Sequence, residues 1–182
     1  GLSTSEGSPT SNLPLRGGKG WLYEGGIREA FMIRAPRVTK PGTICDVPVM
    51  SIDFYPTLLE LCGVPSNNRK EIDGESLVPL LSGAKQTKRK SLFWHYPHYS
   101  NQGGFPGGAV RSGEWKLVER YEDGRHHLYH LGEDIGERND GAAQHPELVQ
   151  RMTSELHAWY EEVDAKFLRA KPDGPQPWMP SE

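Results

Sequence analysis

The sequence predicts a loop-rich α/β chain whose regular structure centres on a small antiparallel sheet packed by a C-terminal helix. Three observations carry that expectation. Glycine and proline supply 21 and 15 of the 182 residues, so turns and extended connections must replace long helices over much of the chain. Between Ala109 and Tyr129, short apolar runs alternate with the breaks Ser112-Gly113 and Asp123-Gly124, which are hairpin signals. From Pro146, the apolar residues Leu148, Met152, Leu156, Trp159 and Val163 recur at spacings of four, four, three and four, one face of a helix about five turns long.

In chain order, Gly1 to Asn12 is built almost wholly of Gly, Ser, Thr, Pro and Asn and reads as a loop. The apolar run Ala30-Phe31-Met32-Ile33-Arg34-Ala35, closed by Pro36, predicts a buried strand of a larger sheet. After the turn at Pro41-Gly42, Val49, Ile52, Phe54, Leu58, Leu59 and Leu61 predict a short, mostly buried helix stopped by Gly63 and Pro65. The charged stretch Lys85 to Lys90 reads as a solvated linker leading into the strand Ser91-Leu92-Phe93-Trp94. Ala109-Val110-Arg111, Trp115 to Glu119 and His127-Leu128-Tyr129 complete an antiparallel meander, with the Phe93 run as a fourth strand. The Pro146 helix is expected across one face of it, because neither layer covers its own apolar stripe. The tail from Lys171, with four prolines, is expected to run extended.

Composition narrows the function classes. Twenty-one Lys and Arg against 24 Asp and Glu give a net charge of −3, unlike the basic footprint of a nucleic-acid binder. No stretch approaches the roughly 18 apolar residues that cross a bilayer, and the opening Gly1-Leu2-Ser3-Thr4-Ser5 lacks the basic segment and apolar run of a signal peptide. Cys45 and Cys62 stand 17 residues apart without zinc-ligand spacing, which leaves one disulfide or two core thiols.

Chemistry concentrates between Leu13 and Glu29. Five glycines within ten residues, Gly17 to Gly26, let backbone approach a ligand closely, and Arg16, Lys19 and Arg28 stand beside them. An oxyanion site and an ordinary glycine-rich turn are the two readings. Gly18-Lys19 lacks the following Ser or Thr of a phosphate-binding loop, so a nucleotide site is a poor fit. A second candidate is Trp94-His95-Tyr96-Pro97-His98-Tyr99, followed by Asn101, Gln102, Gly103 and Gly104. Its rings and amides suit a sugar or aryl group through stacking and hydrogen bonds. His95 and His98 have no third ligand for zinc, and a packed loop is the alternative. His126 and His130 share a strand face while His127 points away, which reads as exposed strand histidines.

These motifs bear a resemblance. Pro14-Leu15-Arg16-Gly17-Gly18-Lys19-Gly20 and Tyr23-Glu24-Gly25-Gly26-Ile27-Arg28 resemble the segment after the second metal-binding motif of formylglycine-dependent sulfatases of the arylsulfatase type, in the alkaline phosphatase superfamily. Pro41-Gly42-Thr43 before Asp46, Ser51-Ile52-Asp53 with Pro56-Thr57-Leu58, Asp73-Gly74 with Ser76-Leu77, Ala109-Val110-Arg111, Trp115-Lys116-Leu117 and Leu128-Tyr129 follow in the family's order. Ala30 departs from the family's usual proline after Arg-Glu. The family's Cys-x-Pro/Ser-x-Arg signature is matched by neither Cys45-Asp46-Val47-Pro48 nor Cys62-Gly63-Val64-Pro65-Ser66.

The resemblance implies the C-terminal portion of an alkaline-phosphatase-like sulfatase. Residues 1–84 would end its catalytic α/β domain, 85–170 would form a C-terminal sheet-plus-helix subdomain, and 171–182 an extended tail. It implies a sulfated small-molecule or carbohydrate substrate, hydrolysis of its sulfate ester, and a periplasmic or secreted setting. Calcium and formylglycine would come from a missing N-terminal sulfatase portion upstream of Gly1, with none bound by this chain alone. By the resemblance, Lys19 is the lysine that contacts the sulfate oxygens, His95 and His98 line the cleft rim, and Arg16 and Arg28 form salt bridges or frame the turn. The rival reading is a noncatalytic binding or scaffold module derived from such an enzyme.

Overall fold

The computed structural model describes residues 11–65, 72–169 and 172–174. The loop expected over Gly1 to Asn12 lies outside the described residues up to position 10, and the expected tail lies outside them except at 172–174. The regular elements are α1 (Glu24–Ile27), a 3-10 turn (Ser51–Asp53), α2 (Phe54–Leu61), α3 (Val78–Leu81), β1 (Ser91–Tyr96), β2 (Gly107–Ser112), β3 (Trp115–Arg120), β4 (His126–His130) and α4 (Pro146–Glu162). The described residues of 1–29 and 91–182 form one compact unit, and those of 30–90 a second.

The first unit is the expected meander, antiparallel throughout in the order β1-β2-β3-β4. Its register sorts side chains by face. Phe93, Val110, Leu117 and Leu128 form one row across the sheet. Met152, Leu156 and Tyr160 of α4 pack onto that row, and Trp159 stacks on Phe93 with ring centroids 5.1 Å apart. α4 starts with proline in its first turn, where a missing N–H costs nothing. Gly108 is required at its place, because a Cβ there would collide with the Tyr160 hydroxyl.

The opposite face is also buried. Ala109, Val118 and Tyr129 pack against Leu22 and Tyr23 from the glycine-rich segment, with Trp21, Trp94, Tyr96 and Phe105 around them. This second layer is irregular chain with the single turn of α1. Apolar periodicity cannot announce such a layer, since it has no period.

The second unit rests on a buried polar centre. Asp53 is fully buried and accepts hydrogen bonds from Met50 N and Glu75 N at 2.8 and 2.9 Å. Arg89 grips both its oxygens at 3.0 and 2.6 Å, a bidentate pair. The charged stretch expected as a plain linker thus supplies the counter-ion of a buried carboxylate. Buried Thr57 donates to Asp53 O and accepts from Leu77 N, tying α2 to the start of α3.

Three expectations for this unit fail. Ala30 to Ala35 is not a strand, and Phe31 and Met32 are 43% and 91% exposed. A strand needs a neighbour for its backbone groups, and the described residues supply none. The helix expected as mostly buried is the 3-10 turn followed by α2, with Tyr55 and Leu58 61% and 58% exposed; no described layer covers that side. Cys45 and Cys62 are exposed and free, neither core residues nor a disulfide.

Candidate functional site

Lys19 sits at the tip of a tight turn. Trp21 N donates to Gly18 O at 3.0 Å, and Gly17 and Gly20 hold positive φ of 72° and 90°, a region that glycine enters without steric cost. The Lys19 side chain is exposed and makes no hydrogen bond or ion pair with any described residue. Its ammonium is therefore uncommitted.

The turn interlocks with the loop that follows β1. A Cβ on Gly20 would lie 3.0 Å from Gln102 Cβ and 3.3 Å from Ser100 Oγ, while one on Gly103 would meet Trp21 Nε1 at 2.7 Å. Lys19 is thereby brought beside the amide-rich loop that His98 opens. His98 is exposed, and its ring centroid lies 5.3 Å from that of Tyr96. His95 is not part of this grouping. It shares its sheet row with Gly108 and Glu119, on the face that α4 covers. Its Nε2 donates to Lys166 O at 2.8 Å and its Nδ1 lies 2.6 Å from the Tyr121 hydroxyl. Phe167 packs on the ring edge-on at 4.9 Å.

Around His95 runs a hydrogen-bonded chain. Tyr121 donates to Tyr160 at 2.8 Å, and Tyr160 to Glu119 at 3.2 Å. His157 Nε2 lies 2.7 Å from Glu119 and His126 Nε2 3.4 Å. Burial alone would push the Glu119 carboxyl up, but the imidazoles of His126 and His157 outweigh it and hold the group below its ordinary range. Burial raises the Tyr121 and Tyr160 phenols, so both stay hydroxyl donors. His126 and His130 do share a face and His127 the other, yet none is simply exposed. His127 Nδ1 pairs with Asp140 at 3.0 Å, and His130 packs against Trp115.

Beneath the Lys19 turn lies a constellation that sequence reasoning missed. Lys116 in β3 is fully buried and lies 3.0 Å from Glu24 Oε1 and 2.9 Å from Glu137 Oε1; the second contact is an ion pair without hydrogen-bond alignment. Burial pushes the Glu137 carboxyl up, against the pull of the Lys116 ammonium. Arg28 approaches Glu24 to 3.7 Å. Arg16 lies over the Tyr23 ring, 3.9 Å from its centroid, and donates to Tyr129 Oη at 3.0 Å and Glu137 O at 2.7 Å. One signal was readable: a lysine inside the apolar run Trp115 to Val118 needs buried acidic partners. Nothing in the sequence says which acids they are.

No group of three or more His, Cys, Asp or Glu among the described residues could hold a metal ion. No described helix is long and apolar enough to cross a membrane.

The family described as N-sulphoglucosamine sulphohydrolase, C-terminal, matches residues 18–163. A sulfatase of Formosa agariphila is 36% identical over 166 residues, covering 83% of this chain and 30% of the relative. Human arylsulfatase A is 42% identical over 104 residues, covering 56% of this chain and 19% of its own length. The structure of BT4656 in complex with its substrate D-glucosamine-2-N,6-O-disulfate superposes with a TM-score of 0.60 at 27% identity, over 71% of this chain and 27% of that one. This chain thus spans less than a third of the length of each. With the family match running from Gly18, beside Lys19, to the end of α4, the chain belongs to the sulphohydrolase C-terminal family and corresponds to the C-terminal part of alkaline-phosphatase-like sulfatases.

Proposed function

We propose that this chain serves a sulfatase that hydrolyses sulfate esters of carbohydrates or aryl alcohols, and that its own contribution is the Lys19 ammonium. The observation that carries the reading is an exposed cation with no hydrogen bond or ion pair among the described residues, fixed on a glycine turn inside the segment that matches the family. Sulfate-ester cleavage moves charge onto the sulfuryl oxygens and the leaving oxygen. A cation already held in place stabilises that charge without reorganising during the step. Sulfated sugar in the BT4656 complex supports the carbohydrate class.

His98, on the loop beside Lys19, is proposed to touch the non-reacting part of the substrate. His95 is proposed to serve the same rim from behind, by anchoring the strand that leads into the loop. Calcium and formylglycine, which the family resemblance implies, do not fit the residues present: neither cysteine lies in the modification signature, and no described cluster could hold a metal. They are proposed to come from the rest of the enzyme. A periplasmic or secreted location belongs to the same proposal.

The test is turnover of an aryl sulfate. The enzyme containing this chain is expected to hydrolyse it, and the purified 182-residue chain is not. Hydrolysis by the chain alone, abolished by Cys62→Ala, would overturn the division of labour. Binding of sulfated sugar without turnover by the whole protein would favour a scaffold module.

A further inference from the structure

Two motifs that mark this sequence, Tyr23-Glu24-Gly25-Gly26-Ile27-Arg28 and Trp115-Lys116-Leu117, lie far apart in the chain but meet through Lys116 and Glu24. The side chains of Lys116, Glu24 and Glu137 are at most 2% exposed. Desolvating such a trio is costly, and well-packed apolar residues often stabilise a fold at least as well. Stability by itself is a weak reason for its presence. Directionality is a stronger one, because an ammonium between two carboxylates fixes which backbone segment sits on which strand.

The path from this trio to Lys19 is short and mostly backbone. Glu137 Oε2 accepts from Glu24 N at 2.6 Å. Gly25 N donates to Arg16 O at 2.8 Å. A Cβ on Gly25 would collide with Gly17 O, and one on Gly26 would lie 2.5 Å from Gly18 O. The underside of the Lys19 turn therefore rests on the Glu24–Gly26 backbone, with no side chain between to absorb a shift. Arg16, at the base of the same turn, donates to Glu137 O at 2.7 Å.

We propose that Lys116, Glu24 and Glu137 are positioning residues, a buried clamp in the sheet that sets the place of the turn carrying Lys19. The proposal rests on Lys19 as the sulfate contact and adds what holds it there.

The test is amide hydrogen exchange on the enzyme containing this chain, comparing the parent with the neutral variant Glu24→Gln, Lys116→Met, Glu137→Gln. The Trp21 and Gly25 amides, both hydrogen-bonded within the turn region, are expected to exchange at least about tenfold faster, while the β2–β3 ladder keeps its protection. Glu137→Gln alone, which retains the Lys116–Glu24 pair, is expected to give the same local pattern more weakly. Unchanged exchange at Trp21 and Gly25, or acceleration spread evenly over turn and sheet in both variants, would overturn the proposal. Lys19→Ala leaves these amides as they are, so a failure of the sulfate-contact reading shows in turnover and a failure of the clamp shows in exchange.

Discussion

Glu119 illustrates how much a single buried side chain decides in this protein. It accepts from His157 and Tyr160 on the helix that covers it, with His126 beside it on the neighbouring strand, and its carboxyl is held below the ordinary value of 4.5. A carboxyl depressed on folding contributes stability that is complete above its unfolded pKa and is lost as pH falls through the folded one. Glu119→Gln should therefore cost about 1 to 3 kcal/mol at neutral pH, with the gap to the parent closing as pH drops below 4.5. Thermal unfolding between neutral and acidic pH measures this, and curves that stay parallel would contradict it. His98→Ala should raise KM with little change in kcat, as expected for a contact to the non-reacting part of a substrate. The same substitution at His95, whose two ring nitrogens are engaged by the protein, should lower Tm instead. His95 and His98 share one aromatic run in the sequence, but the end of β1 at Tyr96 separates them: His95 faces α4 from within the strand, and His98 stands on the loop beyond it.

At the scale of elements, the sheet and α4 were legible because each has a period that survives in the sequence. The α4 stripe is built of Met152, Leu156 and Tyr160, all buried, whereas Val163 beyond the last turn is 45% exposed. Tyr160 escaped notice because Trp159, three residues after Leu156, also fits the stripe, yet Gly108 leaves the space that the Tyr160 ring and hydroxyl occupy. Leu156→Ala, at a position with no exposed surface, should cost roughly 2 to 5 kcal/mol, and unfolding indistinguishable from the parent would place the helix face elsewhere. Gly108→Ala should destabilise by about 1 to 3 kcal/mol through overpacking against Tyr160, and Tyr160→Phe should recover part of that loss by removing the oxygen. The failed elements share a physical cause. Ala30 to Ala35 and α2 carry apolar residues suited to burial, but burial depends on a partner layer that the described residues do not contain.

On the scale of the whole molecule, the chain folds back on itself in a way that local patterns do not encode. Residues 11–29 return to cover the face of the sheet opposite α4, so a glycine-rich segment with little regular structure becomes the second layer of the core. The Lys116 clamp joins them, linking the central part of the sheet to the turn where Lys19 makes no hydrogen bond or ion pair with any described residue. The glycine turn around Lys19 was legible from its motif; the ion pairing between Glu24, Lys116 and Glu137 was not, because it is a fact of three dimensions. The proposed role of this turn is to deliver a cation to the sulfate of a substrate. Its most direct test is kcat for an aryl sulfate, measured on the enzyme containing this chain with Lys19 and with Lys19→Ala. A drop of about a hundredfold to a thousandfold, with Tm unchanged because the side chain is exposed, is the predicted result, and a Lys19→Ala enzyme that turns over at the parent rate would contradict the account.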